Sequence, residues 1–411
     1  MPASIRIFFL STLLYLSACT DVEPDVPFDP EILTLPSTSP ATGPRITGTD
    51  KTGLILSWME LGHDSTSLRY SRFDSGAWGP AKSVVAIDGM FINWADLPSV
   101  VAIGDGRLAA HWLQLSGGTP YAYDIAARIS TDNGNTWSKI ITPHSDGTDT
   151  EHGFVSMFAD ESRLGLLWLD GRKYVNEVTD DPVASGMTLR AAVIDADLQP
   201  QNEQLVDNLI CDCCQTDIAT SSSGPIAVYR DRSIDEIRDI AVTRFIDGQW
   251  QAGQSIAADG WRISGCPVNG PAITAEEDDV AVAWFTGAGN QPAVKVAVSG
   301  DGGESFADPI TVVDGSVLGH VDIAWLGEGE YGVSWLQVSD GGIGEVMVRK
   351  VKTDGHLGSV FTVSYGASSF SVPQMARSQD ELVFVWTESK HSVDQILSAK
   401  VPVAALETKA H

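Results

Sequence analysis

One aromatic column recurs seven times along the chain: Trp58, Trp112, Trp168, Tyr229, Trp284, Trp335 and Trp386, separated by 54, 56, 61, 55, 51 and 51 residues. Four positions before each stand Leu54, Leu108, Leu164, Pro225, Val280, Tyr331 and Leu382. Two before stand Leu56, Ala110, Leu166, Ala227, Val282, Val333 and Phe384. An alternating apolar column that ends on an aromatic is the pattern of a half-buried strand. Fourteen positions before the aromatic a preceding strand begins, near Pro44, Pro98, Phe154, Gln215, Gly270, Val321 and Val372, with no insertion inside any copy. A second strand pair follows each hairpin, as in EIRDIAVTRFIDGQW. Four strands in roughly 55 residues is one propeller blade.

The pattern predicts an all-β, seven-bladed β-propeller as a single domain over 31–405, with a short tail at 406–411; six blades plus an accessory hairpin is the competing arrangement. The last unit stops after a third strand, 395–403, while 31–35 (EILTL) is a surplus strand before the first hairpin. Pairing the two would close the ring and leave no sheet edge exposed.

Two turns between third and fourth strands carry S-x-D-x-G-x-[ST]-[WF]: Ser130 to Trp137, with Asp132, and Ser299 to Phe306, with Asp301. An Asp can bond the N–H groups of its own turn, Gly supplies positive φ and the aromatic packs beneath. These motifs are Asp boxes, and the chain resembles the sialidase-like Asp-box (BNR-repeat) β-propellers over nearly its whole length. The resemblance implies that the boxes are structural and lie on the face opposite the open one. The resemblance implies the fold and, for the sialidases, three arginines on a sugar carboxylate, a Tyr/Glu nucleophile pair and an Asp acid. Gly43-Pro44-Arg45-Ile46-Thr47 resembles the first-arginine motif, with Thr47 in place of the usual Pro.

In a propeller, loops leading into the first strand and out of the second share one open face around the axis. Those loops hold Trp94 and Asp96, His152, the run Cys211-Asp212-Cys213-Cys214, 261–266 and His320. Two residues past each aromatic comes a polar residue: Glu60, Gln114, Asp170, Asp231, Thr286, Gln337 and Glu388. Solvated strand ends or a polar ring lining a ligand site both account for that. Candidate ligand-binding groups are Arg45, Trp94, Arg172, Arg230, Arg232, Arg238 and Arg262. Asp96, Asp170 or Asp231 is the candidate general acid, and Tyr229 or Glu236 the nucleophile or base.

Cys211 and Cys266 each lie eighteen residues before their aromatic, and Cys214 and His320 each fifteen before theirs. Equivalent positions on neighbouring blades favour a Cys211–Cys266 bridge, leaving Cys213 and Cys214. The alternative is a soft metal ion held by these thiolates with His152 or His320.

Arg6, an apolar run from Ile7 to Leu16 and Leu16-Ser17-Ala18-Cys19 resemble a lipoprotein signal over 1–18, lipidated at Cys19. The acidic, Pro-rich stretch 19–30 reads as a tether. That implies a lipid-anchored bacterial envelope protein with the outer membrane favoured, and a monomer is expected. Asp and Glu total 54 against 26 Lys and Arg, a formal charge of -28, which excludes nucleic acid as partner. The expected functions are binding, or hydrolysis, of an acidic glycan or other anionic ligand, with a non-catalytic interaction propeller or a Cys/His redox or copper-type site as alternatives.

Overall fold

The computed structural model describes residues 29–37, 40–161, 163–175, 181–339, 341–390 and 393–407; the signal segment, Cys19 and most of the tether lie outside them. Seven antiparallel sheets follow one another along the chain. Their innermost strands are Ala41–Thr47, Ser99–Ala102, His152–Asp160, Asp217–Ser221, Ala272–Glu276, Val317–Gly327 and Gln374–Ser378. Next outward come Ile55–Leu61, Leu108–Leu115, Arg163–Asp170, Gly224–Arg230, Asp279–Thr286, Glu330–Val338 and Glu381–Lys390. The seven-blade arrangement holds, and the six-blade alternative is excluded.

Glu31–Leu33 supplies the outermost strand of blade 7. It runs antiparallel to Val393–Pro402, with Glu31 opposite Lys400, Ile32 opposite Ala399 and Leu33 opposite Ser398. Lys400 fixes this seam with ion pairs to Glu31 and Glu381 at 3.3 and 3.1 Å. The chain then turns through Val403–Glu407, which buries Ala405 and Leu406, so the domain extends past the expected boundary at 405.

Seven apolar clusters fill the seven gaps between adjacent blades, including the one between blades 7 and 1. All seven aromatics of the repeat are buried there. Burial of an indole leaves its N–H in need of an acceptor. In four blades the residue two positions on supplies it: Glu60, Gln114, Asp170 and Gln337, at 3.3, 3.4, 2.9 and 3.2 Å. The polar column therefore satisfies the buried tryptophans in these four blades. Blade 2 departs from four strands, its fourth position being reduced to a bridge between Ala127 and Ile141.

Both Asp boxes close as expected. Asp132 accepts the Asn135 and Thr136 amides at 3.0 and 2.8 Å, and Asp301 accepts those of Glu304 and Ser305 at 2.9 Å each. The Thr136 hydroxyl and amide hold Asp132 down at about 2, and the Ser299 and Ser305 hydroxyls with the Ser305 amide hold Asp301 well below the usual range. Trp137 packs edge-on against Tyr70 of blade 1, and Phe306 against the core between blades 4 and 5.

Candidate functional site

Innermost strands expose one edge to the channel, so adjacent blades are tied by side chains that bond the next blade's backbone. Asp96 accepts the Phe154 amide through both oxygens at 2.8 Å, Asp217 the Ile273 amide at 2.9 Å, and Asp322 the Met375 amide at 2.6 Å. Burial pushes Asp96 and Asp322 up to about 7 and raises Asp217. Arg45 is the cation among them, 3.9 Å from Asp217 and near enough to Asp96 and Asp322 to favour their ionised forms. Gly153 is required beside Asp96, because a Cβ there would run into the carboxylate. Asp96 is thus a tie between blades, 2% exposed, rather than a general acid open to substrate.

Beside the channel mouth lies a cleft of about 220 Å³, bordered by Thr42, Gly43, Pro44, Trp94, Phe370 and Asp394 among others. Trp94 and Phe370 meet edge to face at 5.4 Å and remain 37% and 63% exposed. His320 packs edge-on against the other side of Trp94 at 5.7 Å. Its backbone amide donates to Asn269 Oδ1 at 2.7 Å, and burial pushes the imidazole down to about 4. His320 therefore supports the aromatic wall and does not join the thiols.

The expected cations separate into two groups. Arg230 is buried and donates to the carbonyls of Asn269, Arg238 and Phe285 at 2.8, 2.7 and 2.8 Å, with Trp261 stacked on its guanidinium at 4.8 Å. Arg238 is buried against Glu236 at 3.0 Å, and Arg172 clasps Asp170 by two bonds of 2.7 Å. These three are structural, because every one is spent on a fixed partner before a ligand arrives. Arg232, half-buried, pairs with Asp212 and Glu236 at 3.0 and 2.7 Å, and Arg262 is exposed beside Asp235 at 3.9 Å. Arg45 alone of the seven candidates faces the channel carboxylates, so the three-arginine arrangement of the sialidases is not assembled from this set.

The catalytic candidates fare similarly. Tyr229 is buried in the core between blades 3 and 4 and donates to Asp207 at 2.6 Å, which together raise its phenol further. Glu236 is clamped by Arg232 and Arg238, which hold it low. Asp170 is fully buried, bonded to Trp168 and Arg172. Asp231 is different: it is half-buried, and burial with the neighbouring Asp207 and Asp239 pushes it up to about 6. It is the candidate whose proton is poised near neutral pH with some access to solvent.

Two features of this face were not legible in the repeat. Tyr123 stacks on Phe91 at 4.2 Å beside Glu151, and Tyr174 lies beside Asp212. Glu151 precedes His152 and Asp212 lies inside the cysteine run, both of which were marked for other reasons.

The four cysteines form two bridges, Cys211–Cys214 and Cys213–Cys266. The expected Cys211–Cys266 pairing is replaced because Cys211 and Cys214 both turn into the core, where the loop brings their Cα atoms to 5.8 Å. Cys213 is left to face Cys266 of the neighbouring blade's loop, with Cα atoms 6.0 Å apart. Paired thiols offer no thiolate to a soft metal. His152 stands elsewhere, stacked on His144 at 3.9 Å and facing Asp146 and Asp170.

No protein-family model matches the chain, and no curated protein matches it in sequence. Solved structures share its fold. A protein of unknown function from Dyadobacter fermentans is 12% identical with a TM-score of 0.51, over 90% of this chain and 98% of that one. The polysaccharide lyase Uly1 is 11% identical with a TM-score of 0.50, over 90% and 92%. The endosialidase of phage phi92 is 8% identical with a TM-score of 0.50, over 93% and 70%. The chain has the sialidase-like β-propeller fold, a class that also houses polysaccharide lyases; at these identities the likeness is one of fold.

Proposed function

We propose that the open face binds a glycan, with a sugar ring held against Trp94 and Phe370 and an acidic substituent directed toward Arg45. The observation that carries this reading is the exposed aromatic wall over a cleft whose other side ends at Pro44, the residue before Arg45. Aromatic faces suit the C–H surface of a pyranose, and hydroxyls of the cleft such as Thr42 suit its polar edge. The glycan association of two structural neighbours, a polysaccharide lyase and an endosialidase, is consistent with it. Because four of the five expected catalytic groups are committed to internal partners, binding is the primary role, and any hydrolysis would rest on Asp231.

The lipid anchor at Cys19 and an envelope location belong to the same proposal. The chain enters the domain at Glu31, which pairs with Lys400 near the end of its strand on the Asp-box side. An anchored molecule would then direct its open face away from the membrane. Calorimetric titration with a panel of acidic and neutral oligosaccharides tests the reading. Binding is expected for acidic members, lost in Trp94→Ala and made indifferent to the acid group in Arg45→Gln. Absence of binding across the panel, or full affinity in Trp94→Ala, overturns it.

A further inference from the structure

A second constellation, separate from the residues of the aromatic cleft, lies between blades 2 and 3. His152, fully buried, points Nδ1 at the Tyr123 carbonyl at 3.2 Å. A carbonyl only accepts, so Nδ1 carries the proton and the lone pair of a neutral ring sits on Nε2. That lone pair faces carboxylate oxygens of Asp146 at 3.3 Å and of Asp170 at 3.8 Å. Three acceptors turned toward one point repel one another, and Arg172 Nη2, 2.7 Å from Asp170 and 3.5 Å from Asp146, offsets that repulsion only in part. We propose that His152 Nε2, Asp146 and Asp170 bind a divalent transition-metal cation, Zn²⁺ or Mn²⁺ in class, at the top of blade 3.

Three further observations support the site. The three ligand atoms lie within 4.8 Å of one another, near the spacing that bonds of about 2.0–2.2 Å to one ion would set after a small contraction. The surrounding bonds are those that orient metal ligands. The Tyr123 carbonyl holds His152, and the Trp168 indole holds Asp170 at 2.9 Å. His144, whose Nε2 accepts the Ile125 amide at 3.3 Å, directs Nδ1–H at Asp146 at 3.2 Å. The local charge also points to a dication. Asp124, Asp146 and Asp170 face the two imidazoles, and Arg172 and Arg190, the guanidiniums beside Asp170, also pair with Glu203. Four negative charges face two positive ones. A proton on His152 would supply one of the missing two, and a divalent ion supplies both. One imidazole with two carboxylates is a borderline-hard donor set, unlike the thiolate site expected from the sequence.

Titration of Zn²⁺ and of Mn²⁺ into chelator-treated, oxidised protein tests the site. One equivalent is expected to bind and to raise Tm by roughly 2 °C or more. Asp146→Asn and His152→Gln should weaken binding by about 100-fold or more, whereas Cys213→Ser with Cys266→Ser should leave the stoichiometry at one. Metal-edge anomalous diffraction from wild-type crystals serves if the variants fold poorly: the peak is expected between His152, Asp146 and Asp170. Failure to saturate, binding unaltered in Asp146→Asn, or a peak at the cysteines overturns the proposal.

Discussion

Asp96 of blade 2 holds the Phe154 amide of blade 3 with both carboxylate oxygens at 2.8 Å. Asp217 and Asp322 repeat the tie from blade 4 to blade 5 and from blade 6 to blade 7. A ring of sheets is only as firm as its seams, and here every second seam carries a carboxylate, fully buried at Asp96 and half-buried at Asp217 and Asp322. Burial disfavours the charged form of these groups, which gives the molecule a specific response to pH.

Asp96 and Asp322 have folded-state values near 7, above the ordinary 3.8. Between those limits the native state binds more protons than the unfolded chain, so stability falls as pH rises from about 4 to 7. Thermal melts should give a higher Tm at pH 5 than at pH 8. Asp96→Asn, which keeps a carbonyl acceptor without a charge, should flatten that slope. A Tm that rises from pH 5 to pH 8, with the same profile in Asp96→Asn, would contradict this.

Arg230 bonds three carbonyls from two blades and carries Trp261 on its face. Arg230→Met removes the donors and leaves those carbonyls buried without them, at a cost of about 3–5 kcal/mol. Arg262→Ala, at an exposed position, should stay within ~0.5 kcal/mol of wild type. Urea midpoints measure both. Equal midpoints for the two variants would refute a structural role for Arg230.

Cys213→Ala should free Cys266, an exposed thiol that reacts at once with a maleimide in the folded protein. Cys211→Ala should instead free Cys214, which is 2% exposed and should react only after denaturation. The reverse pattern would restore the Cys211–Cys266 pairing.

The fold was legible because the repeat writes one buried aromatic per blade at nearly constant spacing, and because the strand missing from 395–403 matched the surplus at 31–35. The site was legible only in part. Loop positions identify which residues reach the open face, and Trp94 followed from that, whereas Arg45 came from the resemblance of 43–47 to a sialidase motif. Spacing does not reveal which partner a side chain finds first. Arg230 resembles a ligand-binding arginine in sequence, yet its strand turns it inward onto three carbonyls. The polar column two residues past each aromatic resembles a ligand ring, yet in four blades it answers a buried indole at the same sheet face. His144, Asp146 and Glu151 lie in a stretch with no periodicity, so nothing in the pattern singled them out.

The account rests on ligand being taken at the aromatic wall of the open face. Hydrogen–deuterium exchange of the protein saturated with its tightest-binding oligosaccharide measures this directly. Protection is expected at 91–97 and 368–372, around Trp94 and Phe370, with no change at 130–137 or 299–306. Protection confined to those Asp-box turns, on the opposite face, would contradict it.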